Sequence, residues 1–359
     1  MIKLRRHKKM QHKNKYMKKI DRAADLRKRL YRLIVTLGIL TCVLVTASLL
    51  LGLKNYSLKT LWEIATAYDP MNQAHQIIYT VRFPRIIGAL LTGCILGICG
   101  LIMQSISSNP LGDPSLLGVS GGASLVIAIC YAISMNIGSV QRSIIAMAGA
   151  ALAMLFVSLL SSKMGRRTDP LKLMLAGTAV SNFFGSLSLI IGIRSRTSRS
   201  LSFWIAGSLA GINGTDLLFL AVSLLVILVI ILRYRKDFAL MVLGDELSTG
   251  LGANVDRARK AGLLVVVIGT GISVSVIGNV GFVGLCIPHI ARLLFGSRFS
   301  YLLPAVAVMS AFLLGAADFL ARSVSAPLEI PVGAITALIG APFFLYLAKT
   351  QKKNGGGIA

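Results

Sequence analysis

The chain has 359 residues, 55% of them hydrophobic and only 14% charged, with a mean hydropathy of +0.75 and a formal net charge of +25. A soluble domain carries about a quarter charged residues, so a water-soluble globular fold is excluded. Charge-poor stretches long enough to cross the roughly 30 Å hydrocarbon core as helices recur, without the ten-residue alternation of a β-barrel; the expected fold class is all-α, a polytopic membrane protein.

Residues 1–32 come first and carry 14 of the 38 lysines and arginines. This tail has no apolar core of its own and so does not read as a cleavable signal peptide. It is the ordinary topogenic signal that holds an N-terminus in the cytoplasm. It also suits contact with anionic membrane lipid, and nucleic acid need not be invoked as a partner. Ten spans are predicted after it, over 31–53, 84–105, 116–134, 143–162, 171–193, 216–232, 261–277, 280–295, 302–321 and 331–348. The implied organisation is a basic cytoplasmic tail (1–32), a ten-helix transmembrane domain (33–349) and a cytoplasmic C-terminal tail (350–359). With both ends inside, about 29 basic residues fall on the cytoplasmic side and about 9 outside, as the positive-inside rule requires.

Along the chain, "RFPR" opens the second span, with Pro84 in a first helical turn, where its missing N–H costs nothing. Arg82 and Arg85 then sit at the outer mouth, against the charge trend, either snorkelling to headgroups or serving a partner. Gly93 and Gly97, four apart, predict a face on which another helix approaches closely. "NPLGDP" follows the second span, and Asn109, Pro110 and Pro114 break the helix there, which is tolerated where protein or a water-filled cavity surrounds the break. "GVSGG" at 118–122 matches the nucleophile-elbow pattern without its strand–turn–helix setting and reads as helix-entry packing.

Further on, "RSRTSR" places Arg194, Arg196 and Arg199 outside. They form further docking or headgroup surface, or a positive mouth that concentrates an anionic ligand. "FWIAGSLAG" (203–211) is too short to span and is expected as an outer helix. In "VLGDELSTGLGANV", Asp245 and Glu246 favour the positive N-terminal end of a short helix stopped by Gly250 or Gly252. The seventh and eighth spans are separated only by Gly278 and Asn279, giving a tight hairpin or one broken element. In "CIPHIAR", Pro288 and His289 suit a structural or gating role; no carboxylate within that span relays protons to His289. Asp318 is an acid within a span, at its end. The five cysteines lack CxxC spacing and read as apolar packing residues, not metal ligands. No G-x-x-x-x-G-K-[ST] pattern occurs, and no catalytic pair or metal cluster is placed within the bilayer. The chain is therefore expected to be no enzyme and to bind no cofactor of its own.

The stretch "RFPRIIGALLTGCILGICGLIMQSISSNPLGDPSLLGVSGGASL" resembles a signature of the permease subunits of bacterial ABC importers for iron–siderophores, haem and vitamin B12. "FWIAGSLAG", "LGDELSTGLG", "GNVGFVGLCIPHIARLLFG" and the segment 302–349 follow in that family's order. The resemblance implies a second permease subunit, two cytoplasmic ATPases that use the ATP, and an extracytoplasmic binding protein, at the bacterial inner membrane. It implies that Arg82, Arg85 and Arg322 receive acidic residues of the binding protein, and that Leu243, Gly244, Asp245, Glu246, Gly250 and Gly252 belong to the helix that couples to the ATPase. The positive outer mouth favours an anionic iron chelate or haem over the vitamin. A vitamin B12 permease is the alternative, and an ion-coupled secondary transporter, which would need intramembrane acids, is a weaker one.

Overall fold

A computed structural model describes the backbone of residues 2–135, 138–162, 170–242, 244–324 and 328–353, so Leu243 lies outside the described residues. Helices follow one another from end to end: α1 (Ile2–Leu50), α2 (Leu58–Thr66), α3 (Gln73–Gln76), α4 (Phe83–Ile106), α5 (Val119–Ala132), α6 (Ser139–Ser162), α7 (Pro170–Arg194) and α8 (Ser198–Ile205). Then come α9 (Gly214–Arg233), α10 (Arg235–Met241), α11 (Asp245–Gly250), α12 (Val255–Ile277), α13 (Val283–Phe295), α14 (Phe299–Ser323) and α15 (Val332–Lys353). Among the described residues seven stretches are long and apolar enough to cross a membrane, and three shorter apolar helices, Val119–Ala132, Val283–Phe295 and Val332–Leu345, occupy the other predicted spans. The ten-helix, all-α reading holds. The connections place α8 at one end of the bundle and α10 and α11 at the other.

The sequence signal for each element is local. α9 opens on a capping box, in which Asn213 accepts the Asp216 backbone N–H at 3.0 Å while Asp216 accepts that of Asn213 at 3.2 Å. A π-helical turn, Ile77–Arg82, leads into α4, with Pro84 in its first turn as expected. α4 is the central helix: nearly all of its side chains after Ala89 are buried, against α14, α12, α13 and α9. The Gly93–Gly97 face meets α14, where a Cβ on Gly97 would fall 2.5 Å from Ser310 Cβ. One turn further, Gly100 lies against the Gly284 backbone of α13, with the two chains so close that a Cβ at 100 would sit 2.5 Å from Gly284 Cα.

Two expectations are refined. "FWIAGSLAG" is mostly loop: α8 begins earlier, at Ser198, and stops at Ile205, after which Gly207 takes a φ of +83°. α12 and α13 are one broken element rather than a packed hairpin. The chain turns through Gly278–Phe282, with Phe282 at φ +69°, and α13 departs to pack on α4, α14 and α15. Pro288 inside α13 removes the N–H that would bond the Gly284 carbonyl. Gln104, 3% exposed on α4, reaches across and donates to Gly284 O at 3.3 Å and Leu285 O at 3.1 Å. Replacing Gln104 with leucine is expected to lower stability by about 1–3 kcal/mol, the cost of leaving such buried carbonyls unpaired; a melting midpoint in detergent equal to that of the native chain would show that the freed carbonyl is satisfied another way.

Candidate functional site

At the α8 end, residues far apart in sequence converge on one charge cluster. The last carbonyls of α1 lack partners within their own helix, and arginines supply them. Arg82 donates to Leu49 O at 2.7 Å and to Lys54 O at 2.6 Å, with its guanidinium 4.8 Å above the Tyr56 ring. Arg322, from the last turn of α14, donates to Ser48 O at 2.9 Å and contacts Ser48 Oγ. Arg85 is committed differently. Its Nε donates to both Asp318 carboxylate oxygens, at 2.9 and 3.2 Å, and its Nη2 lies 2.9 Å from Oδ1, a charge-assisted pair. Its Nη1 bonds Glu329 at 2.7 Å. Asp318 is fully buried, and Glu329 is partly exposed. Arg322 Nε lies 3.9 Å from Asp318 as well.

The three arginines singled out in the sequence therefore meet, and together with Glu329 they line a cleft of about 240 Å³. All three are held by groups of this chain. Arg82 and Arg322 cap α1, and Arg85 forms an internal ion pair rather than an exposed fork. Asp318 and Glu329 as its partners were missed in the sequence, because they lie 233 and 244 residues away and no local spacing signals them.

At the opposite end, α11 forms where the acids stand. Gly244 enters at φ +90°, and Asp245 and Glu246 occupy the first turn. The helix stops in a two-bond motif: Gly252 N–H bonds Thr249 O and Ala253 N–H bonds Ser248 O, both at 3.0 Å, with Gly252 at φ +85°. Gly252 thus supplies the left-handed stop, and Gly250 is the last helical residue. Ser248 anchors the helix by donating to Leu240 O at 2.7 Å, and Asp245 pairs with Arg259 at 2.7 Å. Glu246 is exposed, and Leu247 and Leu251, one turn apart, are 63% and 61% exposed. The acidic turn and Arg259 border a cleft of about 780 Å³.

The remaining predicted residues are placed as follows. Asn109 accepts the Leu111 N–H at 2.9 Å, leaving Pro110 in the turn, and Pro114 starts a 3₁₀ turn, Pro114–Leu117, capped by Asp113. His289 packs edge-on to Phe343 of α15 with ring centroids 6.4 Å apart, and its buried Nδ1 has no partner among the described residues. Arg194 and Arg196 are exposed at the end of α7 and the turn after it, where Arg196 has φ +59°. They do not converge with Arg199, which lines a separate cleft with Arg142. Among the described residues no group of His, Cys, Asp and Glu is arranged to hold a metal, and the five cysteines are free.

The family description that matches, over residues 40–350, is the FecCD transport family. The iron(3+)-hydroxamate import system permease protein FhuB of Bacillus subtilis is 38% identical, over 88% of this chain and 82% of that protein. The hemin transport system permease protein HmuU of Yersinia pestis is 34% identical, over 89% and 96%. The cobalamin import system permease protein BtuC of Halobacterium salinarum is 36% identical, over 78% and 75%. Among solved structures, a metal-chelate type ABC transporter in an inward-facing conformation superposes with a TM-score of 0.77 at 29% identity, covering 89% of this chain and 99% of that one.

Proposed function

The chain belongs to the FecCD transport family, whose members are permeases of ABC importers for iron chelates, haem or cobalamin, and we propose that its own cargo is an anionic iron chelate or haem. In this reading an extracytoplasmic binding protein delivers the cargo, a second permease subunit, identical or homologous, completes the pathway, and two ATPases drive it from the cytoplasmic side of a bacterial inner membrane. The observation that carries the reading is that the family match runs through nine of the ten spans and most of the first, so the whole helical body, and not one motif, is shared. The unevenly basic α8 end supports an anionic cargo. The test is uptake of radiolabelled ferric chelates and haem by cells carrying this chain with its co-expressed ATPase, native or unable to hydrolyse ATP. Uptake that persists without hydrolysis would replace this reading with an ion-coupled carrier.

The exposed leucines and Glu246 of α11 support this helix as the ATPase contact. Glu246→Lys is expected to weaken co-purification of the ATPase or uncouple hydrolysis from uptake, with membrane insertion unchanged. Normal uptake at normal expression would remove α11 from the mechanism.

The orientation that goes with this places α11 inside and α8 outside. In a background lacking all five cysteines, Glu246→Cys should resist a membrane-impermeant thiol reagent in intact cells, whereas Arg196→Cys should react quickly. The opposite pattern would invert the topology.

A further inference from the structure

Arg199 shares its cleft with an arginine that sequence reading passed over. Arg142, near the start of α6, and Arg199, in the first turn of α8, line a cleft of about 650 Å³ together with Tyr131, Ser202, Phe203 and Trp204. No carboxylate lines it, and neither arginine has an ion pair among the described residues. Two donors of these lining residues are buried without an acceptor: Arg142 Nε, part of the guanidinium already named, and the indole Nε1 of Trp204, a residue only 8% exposed. A buried donor left unpaired costs about 1–3 kcal/mol, and two here share one cleft. The volume is in the range of small-molecule sites, which combine aromatic walls with a few convergent polar groups.

The chemistry that answers this set is specific. A cation is repelled by both guanidiniums. A neutral apolar molecule leaves both guanidiniums and the indole N–H unmatched. A group bearing several oxyanions pairs with the planar forks, accepts from the indole and lies against the rings. The acceptor chemistry is shared by a soluble polycarboxylate and by the phosphate of a lipid headgroup. We infer that this cleft is a binding site for a soluble, oxyanion-bearing solute, held between Arg142 and Arg199 and read by Trp204. The wall is built from α5, α6, α8 and α12 rather than from a lipid-facing side of one helix, which favours the soluble source. That such a solute is the transported chelate rests on the importer reading; that the site exists does not.

Trp204 is also the probe. The other tryptophan, Trp62, is 71% exposed in α2, and Trp62→Phe leaves Trp204 as the single reporter. The full chain in phosphatidylcholine nanodiscs is titrated with citrate at constant ionic strength. A saturable change in Trp204 emission is expected, weakened about tenfold or more by Arg142→Gln and by Arg199→Gln, since each removes a charge-assisted contact. Arg196→Gln, outside the cleft, should leave it unchanged. Arg199 is exposed, so its variant reports even if that of Arg142 fails to fold. An absent response, or one that both variants retain, overturns the inference. A response only to added phosphatidylglycerol shows a lipid headgroup in the cleft and overturns the soluble ligand. Uptake of ferric citrate and other ferric chelates is measured in parallel. Native chain that binds citrate yet imports no chelate refutes the importer reading and leaves the site standing. Chelate uptake without a Trp204 response does the reverse.

Discussion

Asp318→Ala should destabilise the protein by about 3–5 kcal/mol, because it strands a buried guanidinium without its partner. Asp318 is fully buried, and Arg85 Nε bonds both of its carboxylate oxygens, at 2.9 and 3.2 Å. Glu329 still reaches Arg85, but through one nitrogen and from a partly exposed position. The loss should appear as a lower melting midpoint in detergent and a lower monodisperse yield. Arg85→Met combined with Asp318→Leu should recover most of it, since replacing both members of a buried pair with apolar groups is often neutral. The pair of variants also separates the two roles open to Arg85. A recovered fold that still binds the binding protein at native affinity assigns Arg85 to internal structure. A recovered fold with weakened association assigns it to docking, through exchange of Glu329 for the partner's acid. An Asp318→Ala chain as stable as the native one would mean that the ion pair contributes nothing net.

Gly100→Leu should be worse still, abolishing the folded product. The cost of overpacking a core is ordinarily about 1–3 kcal/mol, when side chains move aside. At this position the obstacle is the Gly284 backbone, with the carbonyl carbon and Cα both 2.5 Å from where a Cβ would be. Backbone has no alternative rotamer, so α4 and α13 must part, and the Gln104 bonds to Gly284 and Leu285 are lost with the packing. Gly38→Ala is the control: a Cβ there meets nothing within 4 Å, and alanine is the better helix former. Size-exclusion profiles of fluorescent fusions distinguish the two. A monodisperse Gly100→Leu peak at native yield would show that the crossing tolerates separation.

Much of this molecule was legible because the bilayer imposes length and composition. Each predicted span overlaps an observed apolar helix, and the four-residue spacing of Gly93 and Gly97 announced a close helix crossing, whose partner the fold identifies as α14. The start of α11 was equally local, in its paired acids, while its stop lay at the second of the two candidate glycines. What sequence reading missed depends on contacts between distant residues. Asp318 was visible as an acid in a span, but its partner is 233 residues away. Gln104 drew no reading in the sequence, because its role follows from a proline in another helix. Arg142 carried no signal until the fold brought it and Arg199 to one cleft. The arginines of "RSRTSR" look like one patch in sequence, and the fold divides them.

The brevity of α13 bears on how the protein is made. Thirteen residues rise about 20 Å as a helix, well short of the roughly 30 Å hydrocarbon layer. The Gly278–Phe282 turn before it carries backbone groups that lipid cannot satisfy, and Pro288 adds a vacant carbonyl that Gln104 fills. During biogenesis α13 thus has no stable place in the bilayer by itself. It must be held by the insertion machinery, or stay at the membrane surface, until α14 has followed it and α4 is in reach. Nascent chains arrested once Gly296 has emerged from the ribosome, but before α14 has, should therefore expose this segment to protease and to chaperones, and those arrested after α14 has emerged should protect it.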